Sequence, residues 1–208
     1  MANESISYRL LAPVYDWVAP NFSRYRSAQL LTEKVLEVAP DQCELLDIGI
    51  GTGLSIAPYV NSSQFKRIVG VDPSAPMLKR CRRKFASVEL HHGTLEEVVP
   101  HLVPEFHVIQ SCGAVEHVRD LASFVRQVSL LLRSGGLFVF TYEPEIVFSV
   151  LQSGWAPHVG TFGCGEVFRR TAHDVHSVLA KMELTICMDF EFKAYLGLVH
   201  HLVIARSP

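Results

Sequence analysis

Twice between residues 44 and 72 the chain runs an apolar strand into an acid, and the first acid opens a glycine-rich turn. Glu44-Leu45-Leu46 leads into Asp47-Ile48-Gly49-Ile50-Gly51-Thr52-Gly53, and Leu54-Ser55-Ile56-Ala57 follows as a helix start. Glycines at alternate positions let the backbone turn tightly and approach a ligand, because no Cβ intervenes. The unpaired N–H groups of the helix start favour a polar or anionic ligand group. Asp47 sets a carboxylate at the mouth of the turn, where a cationic group can be met. The structural alternative is an ordinary strand-to-helix turn. The second strand, Arg67-Ile68-Val69-Gly70-Val71, ends in Asp72, 19 residues beyond Gly53. An acid at that strand tip in a βαβ unit is placed to accept hydrogen bonds from both ribose hydroxyls of a nucleoside. Its structural alternative is a helix N-cap ahead of Pro73-Ser74-Ala75. Together the two signals point to an adenosine-containing cofactor.

The glycine register selects among such cofactors. A dinucleotide turn requires Gly-x-Gly-x-x-Gly, whose third glycine permits close helix–strand packing. Counting from Gly49 that place holds Leu54, and counting from Gly51 it holds Ile56, so both registers fail. The pattern instead resembles the Asp-x-Gly-x-Gly-x-Gly motif of class I S-adenosylmethionine (SAM)-dependent methyltransferases, with Asp72 matching their ribose acid. Phe106-His107-Val108-Ile109-Gln110-Ser111 is similar to their fourth strand, and Leu131 to Phe140, through Gly135-Gly136, to their turn into the fifth. Tyr8 and Tyr15-Asp16 resemble the tyrosine-bearing segment of the small-molecule branch that includes the ubiquinone and menaquinone methyltransferases. The resemblance covers about residues 5 to 206.

Size and composition agree with it. A chain of 208 residues is most simply one domain. With 49% hydrophobic and 19% charged residues it suits a sheet buried on both faces rather than a disordered chain. A net charge of −2 argues against a nucleic-acid or anionic-membrane surface. Met1-Ala2-Asn3-Glu4-Ser5 gives no secretory leader, and no apolar run approaches the roughly 20 residues of a membrane span. Five scattered cysteines, Cys43, Cys81, Cys112, Cys164 and Cys187, lack any C-x-x-C pair and fit reduced thiols in a cytoplasmic protein.

Alternating patterns predict a helix over 23–38, strands near 44–48, 67–71, 88–92 and 106–111 with helices between, and a helix over 119–132. Asp120 is expected to cap that helix, and Gly135-Gly136 to end it before a fifth strand over 137–142. A helix near 172–181 precedes strands at about 184–193 and 198–206. The short Ala194-Tyr195-Leu196-Gly197 connection between those strands requires antiparallel pairing. The expected fold is α/β: a doubly wound, Rossmann-like, seven-stranded sheet, mostly parallel, closed by a C-terminal antiparallel hairpin. Residues 1–208 form one domain in this reading, with residues 1–40 as an N-terminal helical cap and 143–170 as an insertion covering the substrate.

The resemblance implies that Gly49, Gly51 and Gly53 hold the methionine part of SAM, with Asp47 near its amino group. Asp72 then lies at the ribose and Met77 walls the adenine, and Tyr15, Pro73 and Ser111 are further cofactor-binding candidates. Family members often carry an acid at the adenine edge where this chain has Thr94; Leu95 can still donate its backbone N–H there. A plain turn residue is the alternative for Thr94, and a core residue for Met77. Gln110-Ser111-Cys112-Gly113 replaces the Asn/Asp-Pro-Pro-Tyr/Phe of base and glutamine N-methylating enzymes. His117, placed at the beginning of a helix facing the cleft, has a near-neutral pKa suited to a general base. Structural support of the cofactor loop is its alternative. His158 is a second catalytic candidate, within an insertion whose Trp155, Phe162 and Phe168 suit a small, partly apolar acceptor. His173 and His176 read as a solvated helix face. His200 and His201 point to opposite faces of a strand and cannot chelate together. Lys79 to Lys84 reads as the wet side of a helix, and no metal site is expected.

The expected activity is transfer of a methyl group from SAM to a small-molecule acceptor, releasing S-adenosylhomocysteine. A SAM-binding protein that does not methylate and an RNA methyltransferase are the alternatives. A nicotinamide oxidoreductase conflicts with the glycine register and the terminal hairpin. Nothing in the sequence speaks to oligomeric state.

Overall fold

The computed structural model describes residues 15–18, 23–144, 168–193 and 199–208. Seven strands form one sheet: β1 Cys43–Ile48, β2 Phe65–Asp72, β3 Glu89–His92, β4 Phe106–Ser111, β5 Leu132–Tyr142, β6 Thr185–Lys193 and β7 Val199–Arg206. Their spatial order is β3-β2-β1-β4-β5-β7-β6. The first five run parallel, while β7 lies antiparallel between β5 and β6. This is the expected fold with its expected ending, although residues 194–198, the connecting turn, lie outside the described residues.

Strands covered on both faces are largely apolar, and β1 and β4 bury Leu45, Leu46, Ile48, Phe106, Val108 and Ile109; the buried polar Asp47, Gln110 and Ser111 are treated below. The helices are α1 Tyr15–Val18, α2 Ser23–Val38, α3 Ala57–Val60, α4 Ala75–Lys84, α5 Leu95–Val98, α6 Leu121–Leu131 and α7 Ala172–Lys181. On one face, Leu31 and Val35 of α2, Tyr59 of α3, and Leu78 and Cys81 of α4 pack over Leu45, Val108 and Val139. On the other, Leu95 and Val98 of α5, Phe124 and Val128 of α6, and Val175 and Leu179 of α7 cover Leu46, Ile109, Phe138 and Phe140.

Three local expectations are corrected. Asp120 caps α6 through Ser123 N–H as predicted, but the helix stops at Leu131, short of the glycines. Leu132 is already extended and pairs with Phe106, so β5 starts five residues early and carries Gly135-Gly136 within it. The glycine turn does not pass straight into a helix: residues 51–56 make successive turns, and α3 is a single helical turn starting at Ala57. His117 ends a short 3-10 turn, Val115–His117, and does not begin a helix.

Strand order reverses between β1 and β4, where helices leave opposite faces. In open α/β sheets that switch point opens a crevice at the carboxyl ends of the strands. The glycine turn after β1, the acid ending β2 and residues 110–117 at the end of β4 all meet there.

Candidate functional site

The floor of the crevice is a glycine turn with three left-handed residues: Gly49 at φ +79, Gly51 at +55 and Gly53 at +81. Each disfavours a side chain by conformation alone, but they differ in what surrounds them. A Cβ on Gly49 would lie 2.5 Å from the Ala114 Cβ, whereas one on Gly51 would meet nothing nearer than 4.0 Å. Gly49 is therefore glycine for packing against the β4 loop. Gly51 borders open space, as a surface reserved for a ligand does.

Two acids flank this turn. Asp72, at the tip of β2, accepts from Gly51 N–H through Oδ2 and from Ser74 N–H through Oδ1, both at 2.8 Å. It thus shapes the turn from below and is not the cap of α4, whose N-cap is Ser74. Burial raises its pKa, and the two N–H groups oppose that rise. Asp47 is 1% exposed. Its Oδ2 accepts from Ser55 Oγ at 2.7 Å and from Gln110 Nε2 at 2.8 Å, while Oδ1, equally buried, has no hydrogen-bond partner. Desolvation pushes the Asp47 pKa up to about 6; those two donors lower it, and the nearby Asp72 raises it further. Two adjacent buried carboxyls make a cradle for positive charge, ill suited to an anionic pyrophosphate.

The remaining expected residues fall around the cradle with distinct jobs. Ser111, fully buried, donates to Ile48 O at 3.0 Å and braces β4 against β1. Thr94 caps α5 in a reciprocal capping box with Glu97, so its hydroxyl is committed to the helix start. That leaves Leu95, the first residue of α5, with a backbone N–H that no helical carbonyl reaches. Met77 is buried. Pro73 is exposed, and its carbonyl lies 3.0 Å from His92 Nε2. His117 is half-buried, and its backbone N–H closes the 3-10 turn on Ala114 O. Trp155, His158 and Phe162 lie outside the described residues, as do 145–167 generally. The C-terminal flank of that segment is fastened to the site: Phe168 N–H donates to Glu116 O, and Arg170 donates to the carbonyls of Val115 and Val118.

Sequence reasoning missed several participants. Asp16, next to Tyr15 on α1, accepts from Thr52 Oγ1 in the glycine turn and from Lys84 Nζ at 3.1–3.2 Å, with Arg80 Nη2 at 3.7 Å. Two cations assigned to a wet helix face therefore pin α1 over the turn. Gln110 lies within β4, fully buried, between Asp47 and the Tyr59 hydroxyl, which donates to its Oε1 at 3.0 Å. An amide side chain following the buried Val108-Ile109 pair inside a parallel strand was the available signal. His176 is also corrected: its Nε2 lies 2.6 Å from Asp189 Oδ2, and His201 Nδ1 lies 2.8 Å from Oδ1 of the same carboxylate. His200 packs at a tilt against Phe192, and His201 stacks on Tyr142, on opposite faces as expected. Among the described residues no His, Cys, Asp and Glu group could hold a metal ion.

Residues 46–140 match the family model for the methyltransferase domain. That match, the seven-stranded sheet and the glycine cradle make the chain similar to the class I SAM-dependent methyltransferases, a family whose cofactor is SAM. Within that class its sequence is similar to the quinone branch. It is 32% identical to a ubiquinone biosynthesis O-methyltransferase of Bradyrhizobium sp. over 46% of this chain and 38% of the relative. It is 27% identical to a demethylmenaquinone methyltransferase of Chlorobaculum parvum over 65% of this chain and 57% of the relative. The chain thus spans well under two thirds of either relative. The fold is shared with magnesium protoporphyrin IX methyltransferase of Synechocystis PCC 6803, solved with bound S-adenosylhomocysteine (TM-score 0.71, 12% identity, 89% of this chain and 84% of that one).

Proposed function

We propose that this chain transfers the methyl group of SAM to a small-molecule acceptor of quinone or phenol type. The observation that carries the reading is the buried, unpartnered Oδ1 of Asp47 beside the open face of Gly51. A neutral structural turn has no use for an orphaned buried acceptor, which costs roughly 1–3 kcal/mol. A ligand with an ammonium and a sulfonium, and with no phosphate, fits it. Asp47 would take the ammonium, the Gly49–Gly53 backbone the methionine part, Asp72 the ribose and Leu95 N–H the adenine, with Tyr15, Pro73, Met77 and Ser111 around them. When bound, SAM supplies an electrophilic methyl carbon whose sulfonium charge disperses as an acceptor attacks.

The chain's own work is then mostly positional, since holding two reactants in line in a dry cleft supplies roughly 7–11 kcal/mol. Residues 143–170 cover the acceptor in this reading, with His158 among them, and 1–40 form the cap of a single domain. In this reading the His117 side chain supports the cofactor loop rather than serving as base, and it does so from a 3-10 turn that Arg170 fastens through the Val115 and Val118 carbonyls. A cytoplasmic location without a nucleic-acid partner completes the reading. It is supported by the net charge of −2 and by Cys43, Cys81, Cys112 and Cys187, which form no disulfide. No described helix is long and apolar enough to cross a membrane.

The test is calorimetric titration with SAM and S-adenosylhomocysteine, followed by a radiolabelled-methyl screen over quinols, phenols, amines and carboxylic acids. Micromolar binding and label transfer to a hydroxylated ring are expected. A folded protein that binds neither compound at millimolar concentration would overturn the assignment. For His117→Ala, weakened SAM binding with an unchanged single-turnover rate is expected; a rate loss of 10²–10⁴ would make it the base.

A further inference from the structure

Gln110 forms the second of two links in a buried relay. Tyr59, itself fully buried and stacked on Phe65 at 4.5 Å between ring centroids, has its hydroxyl direction fixed by packing. That hydroxyl donates to Gln110 Oε1, which turns the carboxamide so that Nε2 donates to Asp47. Ser55 arrives from the other side and donates to the same carboxylate oxygen. Both donors thus converge on Oδ2, and Oδ1 keeps no protein partner in a place solvent does not reach. Had either donor gone to Oδ1, the carboxylate would be satisfied within the protein and blunt toward a ligand.

The groups around Asp47 are not cationic. From β2 comes Asp72, from α3 Tyr59, from α4 the Cys81 thiol, and from β4 the neutral Gln110. The Lys84 and Arg80 side chains of α4 are engaged with Asp16. A carboxylate in such a place is short of positive charge until a ligand brings it.

We propose that Gln110, backed by Tyr59, is a positioning residue that reserves one oxygen of Asp47 for the ammonium of SAM, and that cofactor binding drives a proton off this carboxyl. The inference rests on the SAM reading above. The proton leaves Oδ1 for solvent, and the incoming N–H takes its place, so charge and atoms balance. Burial sets the free carboxyl near pH 6, so the exchange falls just below neutrality. There the amino group of SAM, like other α-amino groups, is still protonated. Linkage then makes affinity fall by up to tenfold per pH unit below that point.

The experiment is calorimetric titration of the whole chain between pH 5 and 7 in buffers of different protonation enthalpy. The ligands are SAM, S-adenosylhomocysteine and 5′-methylthioadenosine, which keeps the nucleoside but lacks the amino acid. Both amino-acid ligands are expected to release close to one proton near pH 5 and progressively less towards pH 7; methylthioadenosine should release none. In Gln110→Leu, affinity at pH 7 is expected to fall about 10–100-fold and the release window to move to higher pH. Tyr59→Phe should shift it the same way by less, and it serves if Gln110→Leu does not fold. Binding of SAM without proton release, or with a pH window that neither substitution moves, overturns the proposal and leaves the SAM assignment standing. Equal release with methylthioadenosine also overturns it, by assigning the proton to Asp72. Absence of binding at every pH overturns the SAM assignment instead.

Discussion

A carboxyl kept near pH 6 inside a protein works against folding at neutrality. Asp47 binds its proton more tightly in the native state than in the unfolded chain, where it titrates near 3.8. Native stability therefore rises as pH falls from neutrality through about 6 and levels off below the unfolded value, the reverse of a salt-bridged aspartate. The ionised group costs on the order of 3 kcal/mol at pH 7.5. Asp47→Asn should accordingly raise the melting temperature of cofactor-free protein by several degrees at pH 7.5, lose that advantage near pH 4.5, and weaken SAM binding at least tenfold. Melts at the two pH values with and without SAM check this; a lower melting temperature at pH 7.5 would show that the charge is already compensated. The glycines separate in the same way. Gly51→Val should abolish SAM binding while leaving the circular-dichroism spectrum largely intact, because its space is open. Gly49→Val collides with Ala114 and should cost a few kcal/mol of stability itself. The glycines and both acids were legible in the sequence because a backbone turn and its strand tips are local. Gln110, Tyr59 and Asp16 were not, since their bonds join residues 63, 51 and 36 positions apart.

At the level of elements, the Asp16 carboxylate fastens α1 to the cradle. Asp16 has a lowered pKa, burial opposing and the Thr52 and Lys84 hydrogen bonds with the Lys84 and Arg80 charges outweighing it. Partly exposed ion pairs contribute only about 0–1 kcal/mol each. Asp16→Ala should therefore speed SAM dissociation a few-fold, and wild type at 1 M salt should approach the variant as screening shortens to about 3 Å. Stopped-flow displacement at two salt concentrations measures both, and an unchanged off-rate would show that α1 does not cover the cofactor. Helix and strand periods placed nearly every element correctly, with α7 matching at both ends. The junction of α6 and β5 was misread for a physical reason. A glycine pair reads as a helix stop, yet the Phe106–Leu132 pairing recruits the chain into the sheet before the glycines arrive.

Across the whole molecule, the parallel half of the sheet was evident from alternation and the antiparallel half from one short connection. The strand order at that end was not, because no local pattern says which partner a strand will take. Among the described residues β6 pairs with β7 alone, and β7 fills the gap between it and β5. A chain ended after Lys193 should thus lose cooperative urea unfolding altogether rather than merely lose a strand; a sharp transition with a near-wild-type m-value would contradict this. The same arrangement sets a schedule during synthesis. When β6 leaves the ribosome its partner β7 has not yet been translated, and the open side of β5 offers pairing to any passing strand. The nascent protein therefore carries two sticky edges that quench each other only when one late segment slots between them, which makes that interval its moment of greatest need for a chaperone.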